Sequence, residues 1–268
     1  MKTKFAIFIT STLLLTSCYK EKNSDVNILD IVTTSKEGKG SMTEKKFDNL
    51  SFTEISVATG ITADVIKSGE NRVVIHAPSD IIDKIEVKNE GNEITIRVEK
   101  NSKISGKRVK ATIYTKDLTE VSASSAARIN IKDRYTRDRI SIDVSSSGSV
   151  FGDFEVNDLD VDASSAGRYS GKVWAVKSTI DASSAAHIEL EGKINSAEFD
   201  VSSAASIDAG QLTATNAILD ASSGGNIKVN VDKRADAHAS SGGNINITKQ
   251  ENTSINKTQS SGGSVNVK

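Results

Sequence analysis

The sequence predicts an all-β fold, a parallel β-helix (β-solenoid) whose rungs are about 19 residues long. A six-residue pattern recurs eight times: Ser-Ser, two small residues, one polar residue and one apolar residue. Successive copies begin 21, 19, 19, 19, 20, 18 and 20 residues apart, too short a period for helical repeats, which need more than about 30 residues each. The copies begin at Ser124, Ser145, Ser164, Ser183, Ser202, Ser222, Ser240 and Ser260.

The segments on either side of each Ser-Ser pair alternate between apolar and polar residues, as β-strands with one buried face do. Val144, Phe199 and Leu219 share the parity that we expect to face the core. The second serine of each pair, such as Ser165, has the same parity, so we expect it to point inward as well. The following Ala/Gly pair marks a turn, where glycine permits positive φ. Stacked rungs would bury a continuous narrow core.

The repeats occupy residues 121–268, and residues 47–120 are rich in predicted strands without the Ser-Ser pattern. Asn89-Glu90-Gly91-Asn92 separates two alternating segments as a hairpin turn would. We therefore expect one domain over 47–268, in which an irregular N-terminal β region is continuous with the solenoid.

The first 17 residues have the pattern of a signal peptide: two early lysines and an apolar stretch too short to remain in a bilayer. The stretch ends in Leu15-Thr16-Ser17-Cys18, which looks like a bacterial lipobox, in which the cysteine is lipidated and becomes the N-terminus. The alternative is an ordinary signal peptide with a chance cysteine. Residues 18–46 are mostly polar, and we expect the lipidated Cys18 followed by a flexible tether.

Charge and composition narrow the classes of function. The chain carries 34 basic and 35 acidic residues, whereas binding to phosphate backbones needs a basic excess, so we expect no nucleic-acid partner. With three histidines and one cysteine, a zinc or iron site of the usual kind is nearly excluded. We expect no cofactor and no metal centre.

A row of aspartates is the most suggestive candidate site. Five of them have the outward parity, one in each of five successive rungs: Asp143, Asp162, Asp181, Asp200 and Asp220. In register they would form a surface ladder of like charges, which is either a weak cation site or simply a solvated face. Glycoside hydrolysis needs two carboxyls at a defined separation in a cleft, and a regular ladder offers no unique pair. We interpret His187 as a surface residue, and Trp174 as packed in the core or a groove rather than stacked on a ligand.

The lipobox, the start Phe52-Thr-Glu-Ile-Ser-Val57 and the stacked Ser-Ser repeats together resemble the putative auto-transporter adhesin head GIN domain family. The resemblance covers about residues 47–268. It implies a right-handed β-helical domain in an envelope protein of Gram-negative bacteria, often a lipoprotein, and it supplies no catalytic residues. In the family the corner is more often Ser-Gly-Ala-Gly, from which this chain departs in its earlier rungs.

The expected function is therefore that of a lipid-anchored, non-enzymatic solenoid of the outer membrane, acting as an adhesin or interaction scaffold. Its partners would be the membrane, through the lipid anchor, and envelope or host glycans or proteins. One alternative is a carbohydrate-binding or carbohydrate-active β-helix protein. Another is a purely structural envelope component without a ligand.

Overall fold

The structure is a computed structural model that describes residues 35–268, within which the chain forms nineteen β-strands and two single-turn 3₁₀ helices, Ile82–Lys84 and Gly106–Arg108. The strands before the repeats are β1 (Met42–Phe47), β2 (Glu54–Val57), β3 (Thr62–Lys67), β4 (Arg72–Pro78), β5 (Ile85–Glu90), β6 (Glu93–Val98) and β7 (Lys110–Thr115). The strands of the repeats are β8 (Glu120–Ala123), β9 (Arg128–Ile131), β10 (Tyr135–Val144), β11 (Ser149–Phe151), β12 (Phe154–Ala163), β13 (Arg168–Ala182), β14 (His187–Val201), β15 (Ser206–Ala221), β16 (Asn226–Ala239), β17 (Asn244–Lys249), β18 (Ser254–Gln259) and β19 (Ser264–Val267). Among these residues no helix has the length and apolar content needed to cross a bilayer.

From β8 onward every strand pairing is parallel, and each rung lies on the one before it. Residues at the same place in successive repeats are direct neighbours: Ala163 pairs with Ala182, and Ala182 with Val201. The predicted β-solenoid is confirmed.

The alternating parity places one apolar side of each strand in a single continuous core. Val144, Phe199 and Leu219 are at most 1% exposed, as their parity predicts. Many inward positions are alanine, and two buried aromatic rings, Phe154 and Tyr169, pack at a centroid distance of 6.4 Å. Burying small and aliphatic residues in every rung is what lets so thin a solenoid remain folded.

Each Ser-Ser repeat forms a tight turn with two successive left-handed residues, the geometry of a type I′ turn. In the rung at Ser164, Ser165 has φ 49° and Ala166 has φ 61°, and the Gly167 amide donates to the Ser164 carbonyl at 2.8 Å. The Ala166 amide then donates to the carbonyl of Ser184 in the next rung at 3.0 Å. The hydrogen-bond ladder between rungs therefore continues through the corner.

The inward orientation expected for the second serine is wrong. Because that residue has positive φ, its side chain leaves the strand alternation and is exposed, while the fourth corner residue is buried instead in seven of the eight repeats. The exposed second serines are Ser125, Ser146, Ser165, Ser184, Ser203, Ser223, Ser241 and Ser261.

The N-terminal β region continues the solenoid, as expected. Strand β2 pairs in parallel with β8, Glu54 opposite Glu120, and β3 pairs in parallel with β9. The predicted hairpin is present as antiparallel β5 and β6, with Gly91 and Asn92 in the turn. Strand β4 pairs antiparallel with both β7 and β1.

The predicted flexible tether extends too far, because residues 42–46 belong to β1 and pair with β4. The preceding segment is held as well: the amides of Lys39 and Gly40 donate to the two carboxylate oxygens of Asp80 at 2.9 and 2.8 Å. The predicted signal peptide (1–17), the lipidation site Cys18 and the first part of the tether lie outside the described residues.

Adjacent residues on β15 test the inward and outward parity. Leu219 is fully buried, whereas Ile218 is 47% exposed. Leu219→Asn puts an amide into the core without partners and should lower the free energy of unfolding by about 2–5 kcal/mol. Ile218→Asn, the matched control, should change it by no more than about 0.5–1 kcal/mol. Urea denaturation followed by circular dichroism measures both, and equal losses would contradict the burial pattern.

Candidate functional site

The structure places the five predicted aspartates in register on the outer face of the strands that precede the corners. Asp143 pairs with Asp162 and so on along the solenoid to Asp220, which pairs with His238. Stacked strands lie about 4.8 Å apart, so each carboxylate has like-charged neighbours at close range. We call Asp143, Asp162, Asp181, Asp200 and Asp220 the aspartate row.

Further acidic residues flank the row on the same face, two positions earlier in three of the strands: Asp160, Glu198 and Asp236. Among them, Asp160 forms an ion pair with Arg139, and Asp236 forms one with Arg234 at 2.9 Å. This second line of acidic residues continues into the N-terminal region through Glu120, which pairs with Glu54 of β2. None of the ion pairs within residues 35–268 includes a member of the row itself.

The pKa values of three carboxyls of the row, Asp143, Asp181 and Asp220, are raised, first by burial and then by neighbouring negative charge. Burial raises the pKa of Asp143, and the charge of Asp162 raises it further. Burial likewise raises the pKa of Asp181, with added repulsion from Asp200 and other carboxylates. For Asp220 burial raises the pKa, and His238 only partly offsets the effect. The row is therefore a face on which the fold tolerates uncompensated negative charge.

The arrangement gives the cation interpretation no support. Across residues 35–268 the structure brings together no three histidine, cysteine, aspartate or glutamate side chains in a geometry that could hold a metal ion. The row runs straight along the solenoid, so its carboxylates do not converge on one point. For the same reason, no pair of them is distinguished from the others as an acid and a base would be.

The strands that follow the corners carry a second kind of ladder, made of neutral polar side chains. The Asn244 amide donates to the Asn226 side-chain oxygen at 2.8 Å, and the Asn266 amide donates to Asn244 at 3.1 Å. His187 is half-buried there, with its Nδ1 2.7 Å from the Ser206 hydroxyl. These asparagine and histidine side chains therefore bind to their neighbours in adjacent rungs, which is a structural role.

A groove of about 650 Å³ lies on another part of the outer surface, and sequence reasoning did not find it. Its apolar patch includes Trp174, which is 38% exposed, so the tryptophan packs at a groove and not in the core. We call it the tryptophan groove; its lining is Thr136, Arg137, Asp138, Glu155, Val156, Asn157, Trp174, Ala175, Val176, Lys193, Asn195 and Thr215. The single tryptophan was the one available signal, but its neighbours come from five strands and only the register brings them together.

Comparison with known proteins supports the fold and the family. The family model described as putative auto-transporter adhesin, head GIN domain, matches residues 51–250. A crystal structure of a putative adhesin from Parabacteroides merdae has a TM-score of 0.79 at 18% identity, covering 87% of this chain and 98% of that one. A structure from Parabacteroides distasonis described as a putative lipid binding protein has a TM-score of 0.79 at 21% identity, covering 87% and 99%. No curated protein matches the chain.

Removing one charge from the middle of the aspartate row should stabilise the fold. The folded-state pKa of Asp181 is raised, so its ionised form destabilises the native state at neutral pH. Asp181→Asn should therefore raise the free energy of unfolding at pH 7 by a few tenths to about 1 kcal/mol, an increment limited by solvent screening. The gain should shrink as the pH falls through the raised pKa, because the wild-type carboxyl then becomes neutral too.

Asp64 provides the control of opposite sign. Burial raises its pKa, but hydrogen bonds from Lys110, Asn130 and Lys132 outweigh that effect and lower the pKa overall. Asp64→Asn should reduce stability at pH 7, and the loss should disappear as the pH falls through the lowered pKa. Thermal unfolding between pH 3 and pH 7 measures both variants. If Asp181→Asn destabilised the protein at pH 7, the account of the row would be wrong.

Proposed function

We propose an adhesive, non-enzymatic role in the bacterial cell envelope for this chain, which belongs to the putative auto-transporter adhesin head GIN domain family. The observation that carries the proposal is the repetition of the outer surface. Five successive rungs present an aspartate at the same place, and the corners present an exposed serine in every repeat. An elongated surface of equivalent positions suits distributed contact better than chemistry at one point.

Weak contacts spread over a surface bind more tightly when many of them form at once. Each repeat offers a similar weak contact, and many copies of the protein held on one cell would act together. Anchoring is therefore part of the proposal: Leu15-Thr16-Ser17-Cys18 would direct lipidation of Cys18, and the lipid would hold the domain at the outer membrane. The partners that we propose are the membrane, through this anchor, and glycans or proteins of the envelope or a host.

The anchor and the adhesion can be tested in one set of cells. The full chain and its Cys18→Ala variant are expressed in a Gram-negative bacterium that does not itself adhere to mucin-coated plastic. We expect the full chain to incorporate labelled palmitate, to fractionate with membranes and to increase attachment severalfold. Cys18→Ala should lose the label, the membrane association and the attachment together, because unanchored copies cannot act on one cell surface.

Asp162→Asn is the matched control, since its neighbours in the row persist and attachment should change little. An enzyme would instead lose activity by orders of magnitude from one essential substitution. Absence of palmitate label from the full chain would refute the anchor, and label without attachment would refute the adhesive role. Product released from polysaccharide, and lost with one Asp→Asn change, would identify an enzyme.

A further inference from the structure

The tryptophan groove lies where the pairing of five adjacent strands is interrupted at the same place. Between β10 and β12 the ladder pairs Arg137 with Val156 and then Arg139 with Asp158, leaving Asp138 and Asn157 outside it. The same interruption recurs in the next strands, at positions 176, 195 and 215. The groove therefore runs along the solenoid across β10, β12, β13, β14 and β15, a length of about 19 Å at about 4.8 Å per strand.

The indole of Trp174 is held in place at this groove. The guanidinium of Arg134 lies 5.3 Å from the ring centroid, and Arg134 is itself 3.7 Å from the Glu155 carboxylate. Trp174 is nonetheless 38% exposed, and Val176 beside it is 53% exposed. A fixed aromatic surface that remains open to solvent can bind a ligand with little loss of conformational entropy.

Polar groups of both kinds surround that apolar patch. The Asn157 amide nitrogen donates to the Asp138 carboxylate at 2.9 Å, and its side-chain oxygen can accept. Asn195 carries an amide that can donate and accept, and the lining also includes two threonine hydroxyls. The charged lining is balanced, with Arg137 and Lys193 against Asp138 and Glu155. Arg137 is further neutralised by an ion pair with Asp117. The ligand that fits such a lining is uncharged, has many hydroxyl or amide groups and has one apolar face.

We propose that the tryptophan groove binds a neutral oligosaccharide, with a pyranose ring against the exposed surface of Trp174. An extended peptide is disfavoured, because peptides add to free strand edges and the central strands of this groove, β12, β13 and β14, are hydrogen-bonded on both sides. A lipid chain would need an enclosed apolar cavity, whereas this groove is open and its lining is a mixture of polar and apolar surface. The inference rests on the proposed function: to the repeated surface it adds one site that does not repeat, and it names the class of ligand for that site.

Trp174 is the only tryptophan of the chain, so its fluorescence reports on this groove without background from another indole. The full chain, in detergent, is titrated with cellotetraose, maltotetraose, mannotetraose and N-acetylchitotetraose, with tetragalacturonate as the acidic comparison and a gelatin peptide as the extended chain. We expect a saturable change in emission with at least one neutral tetrasaccharide and a weaker one with the uronate. The inference is overturned if no neutral sugar produces saturation, or if only the peptide or the uronate does.

Calorimetry with the responding sugar then assigns the contact. Trp174→Ala should weaken binding at least tenfold, and Asn157→Ala severalfold, since each removes one side of the groove. Ile218→Ala, which truncates an exposed apolar side chain on the acidic face, should leave binding unchanged. Equal binding by wild type and Trp174→Ala would overturn the site, even if cells carrying the anchored protein attach to mucin. If the wild-type protein binds the sugar but cells carrying it do not attach to mucin, only the adhesive role is refuted.

Discussion

The structure depends on one repeated constraint, the left-handed corner at which each rung turns. Two successive residues with positive φ are unfavourable outside glycine, yet all eight repeats have serine at the first of these places and five also have serine or alanine at the second. The cost is offset because the corner amides and carbonyls of neighbouring rungs bond to each other, as Ala185 does to Ser203 at 3.1 Å. Such a corner is stable only when another one lies against it, so stacking and turn conformation reinforce each other.

The register fixed by the corners determines what the outer surface can present. A residue type that recurs at the same place in every rung forms a straight ladder of side chains. The contacts along such a ladder are favourable between asparagines such as Asn226 and Asn244 and unfavourable between the carboxylates of the aspartate row. The core is continuous through the same rungs, and its burial offsets the repulsion within the aspartate row. Where the ladder is interrupted instead, beside Trp174, the surface opens into a groove with a lining that does not repeat.

The fold could be predicted from the sequence because its information is local and periodic: the corner spacing and the parity of residues such as Leu219 both hold in the structure. Parity could not predict the outward orientation of the second serine of the corner, because the alternation of inward and outward side chains holds only for strand dihedrals and says nothing of the sign of φ. Strand β1 was missed because its partner β4 lies about 30 residues away and its exposed sequence, Met-Thr-Glu-Lys-Lys-Phe, has no apolar face. The aspartate row could be predicted because its residues recur with the period of the repeat. The groove could not, because its lining comes together only through the register of five strands.

Hydrogen exchange at the corners tests the central claim most directly. The amides of Ala166, Ala185 and Ala204 belong to solvent-exposed residues, but each donates to a serine carbonyl of the next rung at 3.0–3.1 Å. If the corners hold the solenoid together, these amides should be protected to the level of the neighbouring strands and exchange only when rungs unfold. Gly91, in the exposed hairpin turn, serves as the unprotected reference. Exchange of the three corner amides as fast as that of Gly91 would contradict the account.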